Sequence, residues 1–131
     1  MSETISKDAL PTSFGAFNPI GHVMLGLPGG ENGLIAALHE AGWDDDAVLR
    51  FTPRESVAEF EAMVENASGA AGFGTEIGLM RRYLDFAREG YQWVLVAVDG
   101  VEEAAQAAEI ARAHGAKLAV HYRLLVTEEL I

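Results

Sequence analysis

Apolar and polar positions change period several times along this chain, and each change marks an element. From His22 to Leu27 the residues are almost continuously apolar, which predicts a strand, and Pro28-Gly29-Gly30 then forces a turn. Leu34, Ile35 and Leu38 recur at helical spacing, so a short helix is expected from Glu31 to Ala41, where Gly42 stops it. After the acidic turn Asp44-Asp45-Asp46, Ala47 to Phe51 reads as a second strand. Thr52-Pro53-Arg54-Glu55 is a capping box: Thr52 caps, proline takes the first helical position, and Glu55 reaches back to the cap. Val57, Phe60 and Val64 carry the inward face of that helix. The run Ser68-Gly69-Ala70-Ala71-Gly72-Phe73-Gly74 breaks the pattern as an interhelical bend. Thr75 caps a third helix to about Glu89, with Ile77, Met80, Leu84 and Ala87 inward. Tyr91 to Val98 is the most strand-like run, and Asp99-Gly100-Val101-Glu102 opens an alanine-rich helix that closes at His114-Gly115. Lys117 to Leu125 is the last strand.

The second half of this order repeats the first. Val23 to Glu31 lies over Val94 to Glu102 at a constant offset of 71 residues, pairing apolar with apolar, glycine with glycine and glutamate with glutamate. Two strand–helix–strand units in one small chain predict an α+β fold, a ferredoxin-like sandwich made from two βαβ repeats. The expected sheet has four antiparallel strands with the helices on one face, the last strand running antiparallel beside the first. Residues 1–19 show no sustained period and are expected to form a flexible N-terminal arm, which Phe14 and Phe17 can anchor. Residues 20–131 are expected to form a single domain.

Alternation along the strands then assigns two faces. Val23, Leu25, Leu27, Leu49, Phe51, Val94, Val96, Val98, Leu118, Val120 and Tyr122 form the more continuously apolar set, so they are expected to point at the helices. The opposite face then carries His22, Met24, Val48, Arg50, Trp93, Leu95, His121 and Arg123. Met24, Trp93 and Leu95 are apolar enough to demand a cover, whereas two arginines and two histidines are foreign to a core. His22, Met24, Arg50, Trp93, Leu95, His121 and Arg123 are therefore the candidate ligand or interface residues. Self-association suits such a face, because aromatic and arginine residues favour interface centres. A pocket for a small anionic or aromatic ligand suits it too, with Trp93 as platform and Arg50 or Arg123 as counter-charge. Metal binding or catalysis by His22 and His121 is a third use, and packing histidines are the plainer reading of that pair.

Composition narrows the partners. Asp and Glu outnumber Lys and Arg 20 to 9, a net charge of −11 that repels phosphate backbones and anionic membranes, so neither nucleic acid nor a membrane is an expected partner. With 131 residues, half of them apolar, a sizeable core is expected without staples. There is no cysteine, so disulfides, thiolate metal sites and cysteine nucleophiles are excluded together. No apolar run approaches the roughly 20 residues that cross a bilayer, and the start of the chain has no signal-peptide pattern, so a cytoplasmic location is expected.

The glycine-rich turn at Gly26 to Gly33 joins strand to helix but matches no phosphate-binding fingerprint, and Glu31 at the helix start repels an anion. His39 and His114 sit near helix ends, where an imidazole suits the helix dipole. Asp44-Asp45-Asp46 lacks the spaced ligands of a calcium loop and reads as a solvated turn. No catalytic residue, cofactor or metal site is therefore expected.

Three stretches, Tyr83 to Gly90, Val94 to Val98 and Glu109 to Ala116, resemble the bacterial general-stress-protein domain of the YflT type over roughly residues 22 to 122. The resemblance implies a stress-linked accessory domain built from split βαβ repeats and carries over no catalytic residue. The expected function is thus a non-enzymatic binding or interaction domain, homo-oligomeric, acting through its open sheet face. The alternative is a small dimeric α+β barrel enzyme working on an aromatic or anionic small molecule.

Overall fold

A computed structural model describes the backbone at residues 12–13, 16–17, 19–70, 75–123 and 126–131, and side chains at 19–52, 54–62, 81–123 and 128–131. In chain order the elements are β1 (Thr12–Ser13), β2 (Ala16–Phe17), β3 (His22–Leu27), α1 (Glu31–Glu40), a 3-10 turn (Asp45–Ala47), β4 (Val48–Phe51), α2 (Pro53–Ala70), α3 (Thr75–Arg88), β5 (Gln92–Ala97), α4 (Val101–Ala113), β6 (Leu118–Arg123) and β7 (Val126–Glu129). β1 and β2 form a small antiparallel pair of their own, and the backbone of β2 lies against α2 and α3. The first eleven residues of the expected arm, together with Phe14 and the bend at Gly72 to Gly74, lie outside the described residues, as do the side chains of Phe17, Val64, Ile77 and Met80.

The main sheet has the order β4-β5-β3-β6-β7, and every neighbouring pair is antiparallel. The protein is α+β with one antiparallel sheet, and β6 does run beside β3. Two details differ from expectation. The sheet has five strands, because the chain continues past Arg123 into β7. Helices also cover both faces: α1 and α4 pack on one, α2 and α3 on the other.

Each face has its own core. Leu34 and Leu38 of α1 and Ala104, Ala107, Ala108 and Ala111 of α4 bury Val23, Leu25, Leu27, Val94, Val96, Val98 and Ala119. The alanines lack the bulk to hold α4 away from the strands, so the helix seats closely. On the reverse, Phe60, Tyr83, Leu84 and Ala87 bury Met24, Phe51, Trp93, Leu95, Leu118, Val120 and Tyr122.

Strand parity within β3 and β5 follows the alternation, but β4 and β6 are joined to it the other way round. Met24 pairs with Val120 and with Leu95, and Leu95 pairs with Leu49. Directly opposed residues share a face. Leu49, Phe51, Leu118, Val120 and Tyr122 therefore join Met24 under α2 and α3, while Val48, Arg50, Ala119, His121 and Arg123 lie on the α1 and α4 side.

The capping box forms as the sequence implies: Thr52 N–H donates to Glu55 Oε1 at 2.9 Å, and Glu55 N–H donates to Thr52 Oγ1 at 3.2 Å. It aims α2 back across the sheet on the side to which Phe51 and Trp93 point. Trp93 is fully buried, with Tyr83 at 4.9 Å and Phe60 edge-on at 5.4 Å between ring centroids. Tyr83 and Tyr122 share a buried hydroxyl hydrogen bond of 2.6 Å, and burial together with Tyr122 pushes the Tyr83 phenol well above its ordinary pKa.

The indole of Trp93 rests on Gly26. A Cβ at that position would stand 2.7 Å from Trp93 Cζ3, closer than any carbon pair tolerates. Gly26→Ala is expected to cost about 1–3 kcal/mol by overpacking, measured by denaturant unfolding. In a Trp93→Leu background the same change should stabilise instead, since alanine loses less backbone freedom than glycine on folding. Equal costs in both backgrounds would show that the ring is not the cause.

Candidate functional site

The seven residues expected on an open sheet face are dispersed. Met24, Trp93 and Leu95 are core residues under α2 and α3, each at most 1% exposed. His22 is buried on that same face, where its Nδ1 donates to Ile20 O at 3.3 Å and its Nε2 has no hydrogen-bond partner. His121 is buried on the opposite face. Register explains the separation: His22 pairs with Tyr122 and Val23 with His121, so the two imidazoles occupy adjacent strands but opposite sides. They form no common site.

The arginines stand at opposite ends of the sheet. Arg50 Nη1 donates to Asn32 Oδ1 at 2.7 Å, tying β4 to the start of α1. Arg123, beyond His22 at the other end, lies 3.8 Å from Glu128.

A concavity lies where α1 ends and α4 begins. It is a cleft of ≈ 390 Å³ lined by Ala41, Gly42, Trp43, Asp44, Ala47, Ala97, Asp99, Glu103 and Gln106. Gly42 ends α1 with φ +114, a conformation that suits glycine, and Trp43 turns back over the sheet. Its Nε1–H donates to Ala97 O at 2.7 Å, and its backbone N–H donates to Leu38 O at 3.0 Å. The indole is thereby locked with only 8% of the residue exposed.

His39 fixes the rim. Nδ1 donates to Trp43 O at 2.7 Å, and Nε2 stands 2.9 Å from Asp45 Oδ1, so one ring bridges the end of α1 to the 3-10 turn. Both helix-end histidines thus bond backbone carbonyls, His114 through Nδ1 to Ile110 O at 2.9 Å.

Across the cleft, Asp99 N–H donates to Glu103 Oε1 at 2.9 Å, which positions that carboxylate at the head of α4. Glu102 and Glu103 occupy the first helical turn, where acids complement the helix dipole. Asp44 is the N-cap residue of the facing 3-10 turn. Asp44, Asp99 and Glu103 thus line the same cleft as Trp43. The lining holds no Lys, Arg or His. Among the described residues no three acidic or histidine side chains come close enough together to hold a metal ion. The arrangement suits an extended organic cation, which can meet several separated carboxylates at once.

Sequence reasoning missed Trp43, Asp99 and Glu103 as a group, and read Asp44 as part of a solvated turn. The available signal was an aromatic residue just past a helix-stopping glycine, followed by acids; its partners lie more than fifty residues away in sequence. Comparisons with family models, with curated proteins and with solved structures gave no match.

Trp43→Phe should remove the bond to Ala97 and leave that carbonyl unsatisfied, at about 1–3 kcal/mol in denaturant unfolding. A neutral result would mean that Trp43 does not hold the cleft wall to β5.

Proposed function

We propose that this chain is a non-enzymatic binding domain whose ligand is a small organic cation seated in the Trp43 cleft. The observation that carries the reading is the composition of the cleft wall, in which Asp44, Asp99 and Glu103 line one cleft with Trp43 and no basic side chain is among the lining residues. Opposite charge concentrated in a concave site raises the local concentration of a cation, and the net charge of −11 adds a long-range field of the same sign. This reading replaces the expected small anionic or aromatic ligand held by Trp93 with Arg50 or Arg123, because Trp93 is buried in the core, Arg50 bonds Asn32 and Arg123 lies beside Glu128.

The fold supports a scaffold role. Setting β7 aside, the order β4-β5-β3-β6 with helices following β3 and β5 supports reading the core as a ferredoxin-like double βαβ unit, with α2 and α3 as a second layer. The likeness of residues 22 to 122 to the YflT-type stress domain is compatible with an accessory role of this kind.

Self-association is a second reading, favoured by one observation. β4 is an edge strand of four residues in which Val48 and Leu49 are only partly buried, so a second copy could extend the sheet there. Native mass spectrometry reads the subunit number directly, and a monomer at micromolar concentration would remove this reading.

Calorimetric titration with spermidine at low ionic strength tests the cation site. Binding should appear with quenching or shift of Trp43 fluorescence, and it should weaken about tenfold or more in an Asp44→Asn, Glu103→Gln double variant, a loss of about 1.4 kcal/mol. The Gln side chain still accepts the Asp99 N–H, so the helix start survives. Absence of binding, or equal affinity in the double variant, would overturn the proposal.

A further inference from the structure

We propose that the buried, neutral ring of His121 is a proton-sensitive latch for the edge strand β7, and that acidification releases the strand. The inference concerns the opposite edge of the sheet from β4 and does not depend on the cation site.

His121 lies on β6 with its side chain 5% exposed, in the layer of Val23 and Ala119. Its Nδ1 is buried without a hydrogen-bond partner and stands 3.9 Å from Glu128 Oε1, beyond hydrogen-bond reach. Arg123 Nη1 approaches the same carboxylate oxygen at 3.8 Å. The neighbouring layer is otherwise apolar: β3 places Val23 opposite the ring, and α4 turns alanines toward the sheet. The charges acting on the imidazole are thus Glu128 of β7, which favours a proton, and Arg123 of β6, which opposes it. Burial is the largest influence and lowers the pKa below the ordinary imidazole value.

The consequence follows from linkage. A histidine with a depressed pKa in the folded state contributes stability above its ordinary value, and that contribution disappears as the pH falls through the folded pKa. Proton uptake therefore favours whichever opened state lets the ring reach water. Glu128, part of β7, lies directly beside the ring, and β7 is a four-residue edge strand. Besides its ladder to β6, β7 is tied by a half-exposed Arg82–Glu129 pair at 2.8 Å and, just beyond it, by Leu130, whose N–H donates to Ala119 O at 2.7 Å, whose carbonyl accepts from Arg112 Nη2 at 3.4 Å and whose side chain packs on the α1 and α4 core. Local opening selects a short edge strand before the β3 and β5 ladders, which are buried on both faces.

Amide hydrogen exchange by NMR, corrected for intrinsic rates, tests the latch on the full chain. Between about pH 7.5 and about pH 5, protection at Leu130 should fall about tenfold or more while protection at Leu25 and Val94 stays constant. The drop should vanish in His121→Gln. In Glu128→Gln it should move to lower pH, because the carboxylate that favours the proton is gone. Protection at Leu130 that is independent of pH would overturn the proposal, as would a drop that persists in His121→Gln. Should His121→Gln fail to fold, an unmoved midpoint in Glu128→Gln would overturn it equally.

Discussion

Every residue of β3 is buried. A strand in that position has no solvent side, so the sheet needs a cover on each face, and most of the architecture answers that need. α1 and α4 supply one layer through the connections that follow β3 and β5. The second layer has to come from elsewhere in the chain, and it comes between β4 and β5. These strands are neighbours, yet α2 and α3 separate them in sequence. The pair folds back over the face carrying Phe51 and Trp93, and the Thr52–Glu55 box fixes the angle at which the chain leaves the sheet. Trp93 then fills the space beneath Phe60 and Tyr83, which is possible because Gly26 leaves room for its ring.

With both faces occupied, functional chemistry is displaced to the ends and edges of the sheet. The end where α1 stops and α4 starts collects Asp44, Asp99 and Glu103. The start of α4 contributes the positive end of its dipole there, which opposes a cation. That contribution is roughly half an elementary charge, against three full carboxylate charges around the cleft. The acidic lining thus outweighs the helix terminus beneath it, as the proposed cation site requires.

Much of the element order was legible, because glycine stops, the capping box and the alternation of apolar runs are local signals. The link between strands was not. In β6, Leu118, Val120 and Tyr122 alternate with Ala119, His121 and Arg123, and the first set is so apolar that it was assigned to the face of Val23. Hydrogen-bonded register, with Met24 opposite Val120, assigns it to the other face. When a sheet is buried on both sides, apolarity no longer distinguishes its faces, and parity read from one strand cannot be carried to the next. The same ambiguity scattered the candidate site, sending Trp93 and Met24 into a core and Arg50 toward Asn32. Trp43 was illegible for another reason: its meaning depends on Ala97, which is remote in sequence and adjacent only after folding.

β7 escaped notice because Glu128 and Glu129 break the apolar pattern, although charged residues are common on edge strands, where they discourage pairing with foreign strands. Here each glutamate also meets a basic group on its own face of the sheet: Glu129 meets Arg82, and Glu128 meets Arg123 and the ring of His121. The contrast with His22 isolates what makes His121 responsive. Both rings are buried and each has one nitrogen without a hydrogen-bond partner. His22 bonds the carbonyl of Ile20, two residues away, so its surroundings belong to its own stretch of chain. The carboxylate beside His121 belongs to a separate edge strand. A proton at His121 therefore acts on the docking of that strand, which is the condition for a titration to alter conformation as well as local charge.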